Sequence, residues 1–333
     1  MRNMTPKERT FRILNRESVD RPSVLSATQT GTCELMEVSG AYWPDASFDP
    51  DLMAKLASAA HTVAGLEGVR IPFCLTVLAE SMGCIIDRGR NDRQPAIAKT
   101  LYDQGKTPTA EKILESGRVQ TIFEAMRKIK EMKFNVPLIV GFEGPTTLAG
   151  HLLGVERLCL MMIKKPDEVM KYMAAAEEAC IIYTKALVKE GADIVAPADP
   201  TASPSVLSPR MFEKFSKNPL KNVASVAGKS ILHICGNATP ILNHMADCGF
   251  SALSIEEKVD LSTAKSILKD RSVAIVGNIP SAGVLLTGTE EEVFKASKQA
   301  IASGVDILAP SCGIAPRTPT RNLKAMVRAA LSP

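Results

Sequence analysis

At 333 residues, 45% apolar and 23% charged, the chain is long enough for two average domains or one large α/β barrel with a sizeable core. Its net charge of +4, with no dense Lys/Arg run interleaved with aromatics, gives no support to nucleic-acid binding and leaves a mild bias toward anionic small molecules or an acidic partner. No apolar run reaches the roughly 18 residues of a membrane span, and no apolar core follows the opening Met1-Arg2-Asn3-Met4-Thr5-Pro6-Lys7 as a signal peptide would require.

Thr5-Pro6-Lys7-Glu8-Arg9 places a capping Thr before Pro at the first helical position and Glu at the third, so a short N-terminal helix through Phe11, Ile13 and Leu14 is expected. Residues 21–26 read as the first strand. Asp51 is expected to cap a helix running towards Ala64, with Gly65 and Gly68 ending it before a second strand at 69–73. Residues of about 80 to 116 break the rhythm. There 84–89 reads as a short edge strand and 90–95 as a polar turn, an insertion lying over the barrel mouth. A helix over 119–132 leads to a third barrel strand at 136–142. Residues 166–190 carry the clearest helix signal, with Pro166 at the start, Asp167 and Glu168 in the first turn, and Lys189 and Gly191 at the end. Helix, Gly, short apolar strand and polar loop then recur at Gly228, Gly249 and Gly304.

Strands are thus expected to begin near residues 22, 70, 136, 192, 230, 250, 272 and 306. Eight short strands, apolar on both faces and alternating with helices, indicate a parallel sheet. Closure into a (β/α)₈ TIM barrel suits eight strands better than an open doubly wound sheet, whose glycine fingerprint is absent. The expectation is an α/β fold in which 1–333 form one barrel domain, with an N-terminal helical extension and the insertion around 80–116. The strand C-termini then share one face.

Two of those strand ends carry the chemistry. His233-Ile234-Cys235-Gly236-Asn237 follows the strand near 230, and Pro310-Ser311-Cys312-Gly313 follows the strand near 306. His233 and Cys235 are two apart, so on an extended segment they share a side. Gly236 and Gly313 would let the backbone turn sharply beside both thiols. One imidazole and two thiols are borderline-soft donors suited to Zn²⁺, and three protein ligands leave a position open, as in catalytic zinc sites. Two thiolates already neutralise the dication, which weakens it as a Lewis acid yet still depresses the pKa of an incoming thiol, so the set suits thiol alkylation better than hydrolysis. The alternative is a buried histidine and two core cysteines. Glu256 lies at the same end, either as a displaceable fourth ligand or as a hydrogen-bonding or loop carboxylate. Glu143, Asp199 and Asn278 also follow strands and are expected at the mouth, orienting substrate or a ligand, or bracing loops. The remaining cysteines, Cys33, Cys74, Cys84, Cys159, Cys180 and Cys248, read as small core residues, reduced as in a cytoplasm.

Together with Thr5–Arg9, Asp20-Arg21-Pro22, Ala198–Ser203 and Gly277-Asn278, these motifs make the chain resemble the uroporphyrinogen decarboxylase superfamily over nearly its whole length. Within it, the His-x-Cys and late Cys-Gly are similar to the methylcobamide:coenzyme M methyltransferases of methanogens. The resemblance implies a TIM barrel, zinc on His233, Cys235 and Cys312, and methyl transfer from a methylated corrinoid protein to coenzyme M, with Asn237 among the substrate-side residues. Decarboxylases of the superfamily carry arginines after the first strand, whereas this chain reads Ala27-Thr28-Gln29-Thr30-Gly31. His151-Leu152-Leu153-Gly154 matches half of a corrinoid-binding loop but has Ala149 at the Asp position, so the corrinoid is expected on a partner. The runner-up readings are a metal-independent decarboxylase and a barrel that only binds a corrinoid protein.

Overall fold

Short runs of Val, Ile, Leu and Ala that are buried on both faces need neighbours on either edge and helices outside, and the chain supplies both. The computed structural model describes residues 4–332, so Met1, Arg2 and Asn3 of the opening stretch lie outside the described residues. Its strands are β1 (Ser23–Val24), β2 (Val69–Ile71), β3 (Ile85–Asp87), β4 (Ala96–Lys99), β5 (Leu138–Glu143), β6 (Ile194–Ala198), β7 (Ile231–His233), β8 (Ala252–Ser254), β9 (Ala274–Ile279) and β10 (Ile307–Pro310).

Eight of them form one parallel sheet in the order β1-β10-β9-β8-β7-β6-β5-β2. The two end strands are joined through Glu67. Its backbone N–H donates to the Val24 carbonyl at 2.7 Å, and its carboxylate accepts the Val24 N–H at 3.1 Å. With that seam closed the sheet is the expected (β/α)₈ barrel, and each barrel strand starts within two residues of its predicted position.

Alternation along the strands divides the core. Leu25, Ile139, Ile194, Ala196, Ile231, Ala252, Val276 and Ile307 fill the barrel interior, where Ile13 and Leu14 of the N-terminal helix join them. That helix, Pro6–Leu14, has Thr5 as cap, accepting from the Glu8 N–H at 3.2 Å. It closes the N-terminal end of the barrel, where Lys7 meets Asp193 ahead of β6 and Arg16 meets Asp306 ahead of β10.

The same end holds a buried charge cluster in which Arg9 grips Asp20 by two hydrogen bonds, 2.6 and 2.8 Å. The Arg9 hydrogen bond holds the Asp20 carboxyl down from its ordinary 3.8 to about 2. A depressed folded pKa gives stability that is present above the ordinary value and lost as pH falls toward 2. Melting temperature followed from pH 5 to 2 should therefore fall less steeply in Asp20→Asn than in the natural protein.

The insertion forms a β3-β4 hairpin, with the expected edge strand in β3 and the polar turn at its tip, where Arg90 bridges Arg93. Gln94 on that tip reaches the cavity at the barrel mouth. Helices Val119–Glu131 and Pro166–Glu190 match the sequence expectation, the second ending at Gly191 with φ +89°.

One cap does not. The helix Pro50–Thr62 is capped by Asp49, whose side chain accepts the Leu52 N–H at 2.9 Å, and not by Asp51. Pro50 lacks an N–H and takes the first helical position, which puts the cap at Asp49, two residues before Asp51. Asp51 instead pairs with Lys128. Among the cysteines expected in the core, Cys33 and Cys159 are only half-buried, while Cys74, Cys84, Cys180 and Cys248 are buried. Among the described residues no single helix is long and apolar enough to cross a membrane.

Candidate metal centre

β7 ends on His233, whose backbone registers with Ala198 of β6 and Ser254 of β8. Ile231, two residues earlier, lies in the barrel interior, so strand alternation turns His233 inward as well. The imidazole is 2% exposed. Its Nδ1 pairs with the Ser254 hydroxyl at 3.0 Å, which leaves Nε2 facing the Cys235 sulfur at 3.2 Å.

Cys235 sits just past the strand, where the Ser203 hydroxyl donates to its carbonyl at 2.7 Å. Gly236 then takes φ +80°, and a Cβ there would press on the Ser203 and Ser205 hydroxyls at 2.9 Å. At Gly313 the reason for glycine differs from the sharp turn expected. Its φ is not left-handed, but a Cβ would come within 3.1 Å of the Gln29 side chain.

Cys312 arrives from the loop after β10. Its N–H donates to the Ser281 hydroxyl and its carbonyl accepts from that hydroxyl, both at 3.1 Å. Gln29, from the loop after β1, bonds through its side-chain amide to the Ile314 carbonyl, and the Ile314 N–H returns a bond to the Gln29 carbonyl at 3.1 Å. Thus the loops after β9 and β1 fix the second thiol from either side. Its sulfur stands 3.7 Å from that of Cys235. This is far beyond a disulfide bond, and both thiols are free.

The donor atoms of His233, Cys235 and Cys312 all lie within 4.8 Å of one another. Ligands at zinc distances and a tetrahedral angle stand about 3.8 Å apart for two sulfurs and about 3.6 Å for sulfur and nitrogen. The observed sulfur spacing meets this, and the nitrogen–sulfur spacing of 3.2 Å is slightly tighter.

The protonation chemistry points the same way. A Cys312 thiolate accepts from the Cys235 thiol and is further favoured by His233, which lowers Cys312 to about 4. The bond to Cys312, then burial, then the nearby Glu256 carboxylate push Cys235 up. Two adjacent thiols thus release one proton readily and resist losing the second, and a dication is the charge that would let both ionise. The three residues fit a zinc ion.

The site opens into a cavity of about 280 Å³, whose walls include Phe73, Leu75 and Ile314 along with the three donors.

The uroporphyrinogen decarboxylase (URO-D) family model matches residues 5–332. The chain belongs to the uroporphyrinogen decarboxylase family. It is 43% identical to the methylcobamide:CoM methyltransferase MtaA of Methanosarcina barkeri, over 99% of this chain and 98% of that one. The methylcobamide:CoM methyltransferase MtbA of Methanosarcina mazei is 39% identical with the same coverage. A solved structure of a methyltransferase from Methanosarcina mazei superposes with a TM-score of 0.95 at 44% identity, covering 98% of both chains.

In this member of the decarboxylase family the other predicted site residues are placed as follows. Glu256 is half-buried and stands beside Cys235, close enough to act on its proton, yet outside the group of donor atoms within 4.8 Å. Asn278 lies within β9 rather than after it as expected, because that strand runs on to Ile279, and its amide donates to the carbonyls of Glu256 (3.3 Å) and Val259 (3.0 Å) in the loop after β8. Asn237 is exposed and accepts the Thr239 N–H at 3.2 Å.

Asp199 and Glu143 are fully buried and turned from the cavity. Ala198 and Pro200 line it, while the Asp199 carboxylate between them accepts the Thr146 N–H, the Thr147 N–H and the Thr147 hydroxyl at 3.2, 2.6 and 2.7 Å. Those groups open the helix Pro145–Leu153, so Asp199 caps it from a distance. Glu143 accepts the Ala79 N–H at 2.9 Å, and burial pushes its carboxyl up. His151 lies inside the same helix, with burial pushing it down to about 4.

The sequence reading overlooked Ser254, Ser281 and Gln29. Ser254 ends a strand beside His233, and that adjacency is the one signal that could have found it. Replacing it with Ala should leave the fold intact and weaken metal retention about 10- to 100-fold, as for other partners of metal-bound histidines. Competition with a chelator measures the loss.

Proposed function

We propose that this chain is a zinc-dependent methyltransferase that moves a methyl group from a methylated corrinoid, carried by a partner protein, to the thiol of coenzyme M (2-mercaptoethanesulfonate). The observation that carries the reading is the His233-Cys235-Cys312 cluster lining the cavity, its three donor atoms within 4.8 Å of one another and its two sulfurs at the spacing of tetrahedral zinc ligands. The methyltransferase names of its relatives support it. Zinc, when bound, would lower the pKa of the incoming thiol and fix its position.

The chain's own residues do the rest. His233, Cys235 and Cys312 hold the ion, and Ser254 keeps the imidazole turned so that Nε2 faces the thiols. The Glu256 carboxylate beside Cys235 would be available as a displaceable fourth ligand. Phe73, Leu75 and Ile314 keep bulk water from the sulfur, which strengthens its nucleophilicity. The sulfur forms a bond to the methyl carbon as the cobalt–carbon bond breaks, leaving its electron pair on cobalt, Co(III) to Co(I), and the thiol proton passes to solvent. Asn237 and Asn278 shape the loops around the open mouth, where the partner protein would dock. We place the enzyme in the cytoplasm, in methanogenesis.

The test is metal analysis of the purified protein joined to an assay with free methylcobalamin and coenzyme M. One zinc per chain and methylated coenzyme M are expected. Carbon dioxide released from a uroporphyrinogen by metal-free protein would overturn the reading in favour of a decarboxylase. Stable corrinoid-protein binding without any turnover would overturn it in favour of a binding barrel.

A further inference from the structure

Arg70 sits in the middle of β2, in register with Ile139, a residue of the barrel interior. Paired residues of parallel strands face the same way, so the Arg70 side chain also enters the barrel. It is 2% exposed. Its guanidinium lies against Gly141, where any Cβ would collide with it. One nitrogen donates to the Pro72 carbonyl, while Nε is buried with no partner.

Other buried arginines of this protein are neutralised, Arg9 by Asp20 and Glu67 and Arg118 by Glu80. Among the described residues no carboxylate makes an ion pair with Arg70. Burial pushes it down from the ordinary 12.5 to about 10. It therefore stays a cation at neutral pH, in a place where an unpaired cation is costly.

The same guanidinium lines the cavity that holds the thiol cluster. Every other lining residue is neutral or belongs to that cluster, so Arg70 is the permanent charge of the cavity. A planar fork with free donors is suited to two oxygens of one oxyanion.

We propose that Arg70 is the anion receptor of this cavity, binding a compact oxyanion of the sulfonate class at one end of a short thiol whose sulfur lies at the His233-Cys235-Cys312 end. The thiol end rests on the function proposed above, while the anion end stands on Arg70 itself. The buried charge then selects anionic over neutral thiols, because only an anion relieves the unpaired guanidinium.

Calorimetric titration of the metal-loaded protein with ethanesulfonate, which carries no thiol and cannot react, tests the anion end separately. The natural protein should bind it, Arg70→Gln should bind it about 10- to 100-fold more weakly, and the neutral isostere ethyl methyl sulfone should bind weakly to both. Equal binding of ethanesulfonate by the two proteins would overturn the proposal. If Arg70→Gln does not fold, the comparison of ethanesulfonate with the sulfone on the natural protein decides, and equal affinity overturns the proposal.

In the methyl-transfer assay the natural protein should favour mercaptoethanesulfonate over mercaptoethanol through KM, and Arg70→Gln should bring the ratio of kcat/KM close to one. An unchanged ratio in the variant would overturn the anion receptor and leave the methyl transfer standing. Ethanesulfonate binding lost only in the variant, with no methyl transfer to either thiol, would support Arg70 and overturn the reaction instead.

Discussion

Replacing Cys312 by Ala is expected to remove the metal and with it essentially all methyl transfer, while the barrel remains folded. The thiol is one of three donors brought together from strands far apart in the chain, and its backbone, not its sulfur, carries the bonds to Ser281. The loop therefore keeps its anchors when the side chain is shortened. A zinc site of this kind has a binding free energy of about 10–16 kcal/mol, and losing one of three protein ligands should take away roughly 4 kcal/mol, or about 10³-fold in affinity. Cys235→Ala should behave alike. Bound zinc measured after gel filtration, with circular dichroism to follow the fold, checks both halves of the expectation. Full methyl transfer by the metal-free variant would end the zinc reading.

The second large effect lies at the opposite end of the barrel. Glu67→Ala should destabilise the protein by about 3–5 kcal/mol, since it leaves two guanidiniums beside an emptied, buried site. The Glu67 carboxylate accepts from Arg9 at 3.2 Å, from Arg21 at 2.5 and 3.1 Å, from the Ser23 hydroxyl at 3.2 Å and from the Val24 N–H at 3.1 Å. Its side chain is 8% exposed, so little solvent replaces those bonds. The position also matters for topology, because the β1–β2 seam is closed here. Glu67→Gln, which keeps the shape and loses the charge, should cost less than Ala. Chemical denaturation of the three proteins gives the order, and a wild-type midpoint for Glu67→Ala would show that the cluster adds nothing to stability.

Much of this was legible in the sequence for a local reason. A parallel strand buried on both faces reads as a short apolar run whatever its neighbours are, so all eight barrel strands could be placed before any pairing was known. His233 and Cys235 were also local, two residues apart at the end of one strand, and Cys312 followed once closure of the barrel was assumed. Caps were legible where the first helical residue was identified correctly, as at Thr5, and misplaced by two residues at Asp51 because Pro50 had not been given the first position.

The roles of the remaining polar groups depended on partners distant in sequence. Asp199 follows a strand and Glu143 ends one, as a site residue would, but the first is used by the N–H groups of a helix some fifty residues earlier and the second by Ala79. Gln29 braces a loop 285 positions away, and Ser254 meets His233 only through strand register. Arg70 shows the limit most sharply. In the chain it is one cation within an apolar strand, and whether such a group has a counter-ion is settled only when every other strand is in place. Patterning by itself determined the barrel and the end at which its chemistry sits, because burial of apolar side chains has a fixed period along the chain. Tertiary structure alone decided which polar groups are satisfied by the protein and which are left for a ligand, because hydrogen bonds and ion pairs are made across space and leave no period in the sequence.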